Sequence, residues 1–159
     1  MPSAVAVDVS YSQLAVFPSA LDQPFNDWTD QHVAQGFSWR PGTVSFRTLA
    51  EAGPHSVEIE VVEHTGSASK DAVRAIEVPF EVPANGAVEV GSISDSTAVT
   101  LPPGRFLLRC EFLGLGVDDG QRVRLIFAKS DVPRFAVVRA DEALSVSTPL
   151  LTTAQPAPG

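Results

Sequence analysis

The sequence predicts an all-β fold, an antiparallel β-sandwich of about ten short strands with one short helix. Apolar residues recur at every second position, prolines and glycines punctuate the chain, and no long helical periodicity exists to cover a parallel sheet. Val57, Ile59 and Val61 alternate with Glu58 and Glu60, as a strand with one dry and one wet face requires. Ile76, Val78, Phe80 and Val82 repeat the pattern against Glu77 and Glu81. Phe106, Leu108, Cys110 and Phe112 repeat it against Arg105, Arg109 and Glu111, and Val123, Leu125 and Phe127 against Arg122 and Arg124. Shorter stretches add strands at Val5 to Val9, Leu14 to Phe17, Val44 to Leu49, Val88 to Val90, Ala98 to Leu101 and Phe135 to Val138.

Turn chemistry divides these strands. Asn85-Gly86 favours a tight hairpin joining the strands around Phe80 and Val88, and Asp119-Gly120 signals another. Pro102-Pro103-Gly104 stops one strand before the next starts at Arg105. Pro79 has no amide to give a ladder, which predicts a sheet edge or a bulge. The helix runs from about Thr29 to Gln35, with Asp27 or Thr29 as N-cap and Gly36 ending it. Residues 1–147 make one sandwich domain. Residues 148–159 carry three prolines and no charge, and predict a disordered tail.

A chain of 159 residues with 44% apolar content can bury a sizeable core. One cysteine excludes an internal disulfide framework, and no apolar run is long enough for a membrane-spanning helix. The N-terminus lacks a basic, apolar secretory signal, so a reducing cytoplasm is the expected location. The net charge of -8 disfavours direct nucleic-acid binding. It is uneven: residues 1–99 hold 13 acidic and 4 basic side chains, the remainder 6 and 7. Such an excess is either a solvated surface or one that docks onto something basic.

Motifs for catalysis are weak, and no catalytic residue, metal ligand or cofactor is assigned. Ser67-Ala68-Ser69-Lys70 spells S-x-x-K but sits in a polar loop rather than at a helix start. Gly114, Gly116 and Gly120 have the wrong spacing for a phosphate loop, beside Asp118 and Asp119. His32, His55 and His64 lack the spacing of a metal site. Cys110 alternates with core residues and reads as a small buried apolar group. Paired carboxylates remain at Asp27 and Asp30, which flank Trp28, and at Glu58 and Glu60, which project together. Asp27 and Asp30 also suit capping of the helix. Phe25, Trp28, Phe37 and Trp39 cluster there, and tryptophan with aspartate is anchor material for a protein partner. The candidate partner-binding residues are therefore Asp27, Trp28, Asp30, Trp39, Glu58 and Glu60.

Tyr11-Ser12-Gln13, Trp28-Thr29-Asp30, Val44-Ser45-Phe46, Val78-Pro79-Phe80, Asn85-Gly86 and Leu101-Pro102-Pro103-Gly104 occur in an order that resembles the bacterial competence protein J family over about residues 10–112. The resemblance implies a small non-enzymatic inhibitor of the DNA-entry nuclease, a membrane-associated enzyme. It supplies no catalytic residues and no mapped interface. A nuclease presents a cationic groove to its polyanionic substrate, and an acidic protein with those carboxylates and an aromatic anchor fits such a groove. The expected partner is thus a basic nuclease, with no direct contact to nucleic acid and with membrane association only through that partner. The alternative is a small-molecule or carbohydrate-binding sandwich whose tryptophans line a pocket. Oligomeric state is left open.

Overall fold

The structure is a computed structural model that describes residues 3–114 and 121–157. Chain order gives β1 (Ser3–Val9), β2 (Gln13–Pro18), helix α1 (Asp30–Gln35), β3 (Phe37–Arg40), β4 (Thr43–Arg47), β5 (Gly53–Val62), β6 (Ala72–Val82), β7 (Ala87–Gly91), β8 (Ser96–Thr100), β9 (Gly104–Leu113), β10 (Gln121–Lys129) and β11 (Ala136–Arg139). They form a six-stranded sheet, β1-β5-β10-β9-β6-β11, stacked on a five-stranded sheet, β3-β4-β2-β7-β8. The fold is the predicted all-β sandwich with one short helix.

The alternating residues face each other across the sandwich. Leu14, Val16, Phe37, Val44 and Phe46 come from one sheet, and Val57, Ile76, Leu108, Cys110 and Leu125 from the other; all are fully buried. Phe127 receives the edges of Phe80 and Phe106 at centroid distances of 5.9 Å, a favoured aromatic geometry. Each outward face keeps the complementary polar positions.

Pairing differs from expectation in three places. β5 and β10 run parallel while every other named pair is antiparallel. Alternation marks a strand but not the direction of a partner remote in sequence. Asn85-Gly86 does turn the chain, with Gly86 N donating to Pro83 O at 2.8 Å. It is no hairpin, however, because β6 and β7 lie in different sheets; turn residues specify a reversal, not the strand that pairs. β3 was hidden, since its four residues are too short to show a period, and its Phe37 is fully buried. Asp119-Gly120 lies outside the described residues.

Pro79 sits where a proline is tolerated. β11 pairs only with Ala75 to Glu77 of β6, so beyond Glu77 that side of the strand has no ladder to break. A bulge also interrupts β6 between Ala72 and Arg74.

Helix α1 matches its sequence signals closely. Thr29 is the N-cap, and its hydroxyl accepts from His32 N at 3.4 Å. Gly36 ends the helix at φ 94°, where a side chain is strained. A methyl there would also lie 2.9 Å from Ile76 Cδ1. Gly36→Ala is therefore expected to lower unfolding free energy by about 2 kcal/mol, read from urea denaturation. An unchanged midpoint would contradict this packing.

Residues 148–157 hydrogen-bond back to the segment that precedes and forms α1. The Gln35 side chain accepts from Leu151 N at 2.9 Å and donates to Leu151 O at 2.8 Å. Asp27 N donates to Gln155 O and Ala157 N to Phe25 O, making a two-stranded bridge with Asn26 and Pro156. The prolines remove donors, and side chains answer the carbonyls that remain: Gln35 donates to Leu151 O, His32 to Thr153 O at 2.9 Å and Gln31 to Pro149 O at 3.3 Å.

Candidate partner-binding surface

The outer face of the five-stranded sheet is covered, which is why its outward residues Ala15, Ser38, Thr43 and Ser45 are fully buried. The cover is the segment from Pro24 through α1. Asn26 Nδ2 donates to Ser38 O at 2.7 Å, Ser38 Oγ to Asp27 O at 2.8 Å, and Thr43 Oγ to Pro24 O at 2.6 Å. Arg40 Nε donates to Asn26 Oδ1 at 2.7 Å. Phe25 meets Phe17 edge-on, centroids 5.7 Å apart. Short polar side chains thus pin a loop flat against strands and satisfy the carbonyls of Pro24, Asp27 and Ser38.

His32 fastens the next layer. Thr29 N donates to its Nδ1 at 2.9 Å, which makes that nitrogen the acceptor and leaves Nε2–H to donate to Thr153 O at 2.9 Å. The histidine takes the place of the glutamate usual in a capping box and ties helix to C-terminal segment. The result is a stiff platform that leaves Asp27 and Asp30 exposed and Trp28 half-buried. Neither aspartate makes an ion pair among the described residues.

Beside Trp28 the chain turns sharply between β1 and β2. Tyr11 and Ser12 have φ of 54° and 57°, a conformation that a tight turn normally assigns to Asn-Gly. Several bonds hold it: Ser12 N to Glu51 O at 2.8 Å, Thr48 N to Ser12 O at 2.9 Å, and Ser92 Oγ to Gln13 O at 2.8 Å. Tyr11 is 74% exposed. The turn, Gln13, Trp28, Val33 and Arg47 enclose a pocket of about 260 Å³. Arg47 is held there by Val33 O and Ala143 O, each at 3.1 Å.

Glu58 and Glu60 stand elsewhere. Because Val57 and Ile59 point into the core, the two glutamates face outward from the six-stranded sheet, on the opposite side of the sandwich from α1. Glu58 is opposite Arg124 in the parallel register and pairs with it at 3.4 Å. That face is a ladder of alternating sign rather than a negative field. Arg124 Nη1 donates to Ser69 Oγ at 2.6 Å, Ser69 Oγ to the fully buried Glu111 at 2.6 Å, and Arg109 joins Glu77 at 2.9 Å and Glu111 at 3.5 Å. Arg109 Nη2 also caps Gly66 O at 2.7 Å, so the loop carrying Ser67 to Lys70 is folded onto the sheet. Ser69 serves this network.

Trp39 is likewise spent inside the molecule. Its indole N–H donates to Pro79 O at 2.7 Å, and its ring meets Phe135 edge-on at 4.9 Å, closing one edge of the sandwich. The six sequence candidates therefore divide: Asp27, Trp28 and Asp30 share one platform, Glu58 and Glu60 lie on the other face, and Trp39 joins the sheets. What sequence reasoning missed was Tyr11-Ser12-Gln13, whose sole signal was a position in the family-like order.

Titrating groups report on stability. Burial depresses the His55 pKa, and backbone bonds from the carbonyls of Gly53 and Pro54, with Asp8, offset this only in part. Burial alone would raise Asp141, but hydrogen bonding and charge from Arg74, helped by backbone amides, hold it below the ordinary carboxylate range. Burial pushes the Cys110 thiol well up, as suits an inert core residue. Both depressed groups take up protons more readily when unfolded. Stability is therefore expected to be level between about pH 7 and 8, to fall as pH drops through the ordinary histidine value near 6.5, and to fall again below about pH 4; above about pH 8.5 it should also fall, because the Cys110 thiol ionises in the unfolded chain and not in the core. Chemical denaturation across this range checks it, and His55→Asn should remove the first decline. A decline between pH 5 and 7 that survives His55→Asn would contradict it.

Among the described residues no cluster of His, Cys, Asp or Glu could hold a metal ion, and no helix is long and apolar enough to cross a membrane. A cavity of about 690 Å³ is lined by Arg74, Arg139 and Asp141 among others and by neither tryptophan.

Known proteins resemble this chain in sequence and fold. A relative named DNA-entry nuclease inhibitor, from Bacillus subtilis (strain 168), is 28% identical over 105 residues, 65% of this chain and 76% of the relative. The crystal structure of ComJ, inhibitor of the DNA degrading activity of NucA from Bacillus subtilis, superposes with a TM-score of 0.69 at 20% identity, covering 82% of this chain and 96% of that one. A structure described as Crocagin biosynthetic gene J superposes with a TM-score of 0.57 at 13% identity, over 82% of this chain and 97% of its own, and shares the fold. The family profile of Competence protein J (ComJ) matches residues 6–128, and this chain belongs to that family.

Proposed function

We propose that this protein is a non-enzymatic inhibitor of a DNA-degrading nuclease, binding it through the α1 platform, with Asp27 and Asp30 supplying charge and Trp28 the anchor. The name of its relative supports the nuclease as partner. The observation that carries the choice of surface is the placement of two exposed, unpaired aspartates on either side of a half-buried tryptophan, on a rigid layer. Glu58, whose charge Arg124 answers, and Glu60 fall outside this surface, as does Trp39. A nuclease groove must be cationic to hold DNA, so negative charge speeds encounter and occupation of the groove excludes the substrate. The protein acts in the cytoplasm and reaches the membrane only on a membrane-held nuclease. It needs no cofactor and does not bind DNA itself.

Titration of a purified cognate nuclease against a fluorescent DNA substrate tests this. Cleavage should fall linearly to zero at a fixed molar ratio, with inhibition weakening as salt rises. Undiminished cleavage at large molar excess would refute it.

A further inference from the structure

Two residues that line the pocket beside Tyr11 each bury a polar atom that has no partner. Trp28 Nε1–H is a buried donor and Gln13 Oε1 a buried acceptor, and neither meets a hydrogen-bonding atom of the described chain. Leaving either group unpaired is costly, and native proteins rarely leave both in one place without a use. Around them the backbone holds an uncommon conformation at Tyr11 and Ser12, and apolar surface stands at the rim, with Tyr11 74% and Val33 41% exposed. Strain at an exposed turn, itself bonded on three sides, is an arrangement kept for recognition.

We propose that this pocket is a socket for an amide group presented by the protein partner, a side-chain carboxamide or an exposed peptide bond. An amide is the common protein group that offers both an acceptor for the indole N–H and a donor for the glutamine oxygen. A carboxylate would satisfy the indole and be drawn to Arg47 in the wall, but it has no hydrogen to give Gln13 Oε1, which it would oppose. An ammonium would do the reverse. At about 260 Å³ the space is below that of a usual small-molecule site and suits one side chain or a loop apex. The two atoms are shielded in the free protein, so seating the amide requires the Gln13 side chain and the Trp28 ring to part. Tyr11 and Val33 then close over the inserted group and exclude water, the condition under which a central contact carries most of the affinity. Choosing a nuclease as the bearer of that amide rests on the function proposed above; the socket does not.

Nuclear magnetic resonance of the full-length, nitrogen-15-labelled protein separates the two. N-acetylglycinamide is the probe, and the Trp28 indole N–H signal is the reporter, with Trp39, bonded to Pro79, as internal control. The expected result is a saturable downfield shift of Trp28 alone, with a dissociation constant on the order of millimolar, as a fragment of that size permits. Gln13→Met should weaken it at least fivefold while melting no lower than the parent. Sodium acetate and methylammonium chloride should give no saturable shift. If the amide leaves Trp28 unmoved, or if acetate matches it, the socket is overturned. If Gln13→Met and Trp28→Phe both lower the melting temperature without changing probe binding, the two groups serve each other and the proposal fails. A saturable amide response in a protein that inhibits no nuclease would retain the socket and discard the nuclease.

Discussion

Trp28→Ala is expected to weaken binding to the cognate nuclease at least 30-fold, the loss typical of a desolvated aromatic at the centre of an interface. Trp28 is half-buried against His32, centroids 6.3 Å apart, so the truncation removes a ring already packed on α1. Asp27→Lys with Asp30→Lys should act differently. Those side chains are exposed and make no ion pair among the described residues, so reversal costs the fold little. It should slow association and flatten the dependence of affinity on salt, leaving dissociation less affected. Glu58→Lys with Glu60→Lys is the matched control with the same change of net charge on the other face. Stopped-flow association at low and high salt reads all three. Equal loss from both reversals would mean that bulk charge, and not this platform, directs binding.

The largest effect on stability is expected at Asp141. Arg74 is 1% exposed and lies over the ring of Phe112, 5.7 Å from its centroid. Its guanidinium is bonded to Asp141 through Nε at 2.7 Å and Nη2 at 3.0 Å, and Nη1 donates to Arg47 O at 2.5 Å. Asp141→Ala leaves a buried cation with one carbonyl, and losses of this type run to about 3 to 5 kcal/mol. For a domain of this size that is a fall in melting temperature of roughly 10 °C. Combining Asp141→Leu with Arg74→Met should recover much of the stability, because the stranded charge is gone. A double variant as unstable as Asp141→Ala would show that packing, and not the ion pair, carries the cost. Calorimetry of the variants decides between them.

Much of this architecture was legible in the sequence because the physics that builds it is local. The alternation of Val57, Ile59 and Val61 with Glu58 and Glu60 is the strand itself, and Thr29 and Gly36 bracket the helix they cap. What was not legible depends on distant partners. The parallel neighbour of β5 arrives more than fifty residues later, and with it the arginine that answers Glu58. The C-terminal residues carry no alternation of their own, and their bonds to Gln35 and His32, 116 and 121 residues away along the chain, have no local signal. Trp39 resembled a surface anchor until Pro79 O supplied its acceptor. The candidate site divided for the same reason: sequence shows which carboxylates project together along one strand, but not which face of the sandwich that strand presents.

Hydrogen–deuterium exchange of the full-length protein, free and saturated with its cognate nuclease, bears most directly on the central claim. The account predicts slowed exchange in peptides covering residues 11–13 and 27–35, with residues 56–60 and 122–126 unchanged. Protection of the β5 and β10 segments, with the α1 platform exchanging as in the free protein, would contradict it.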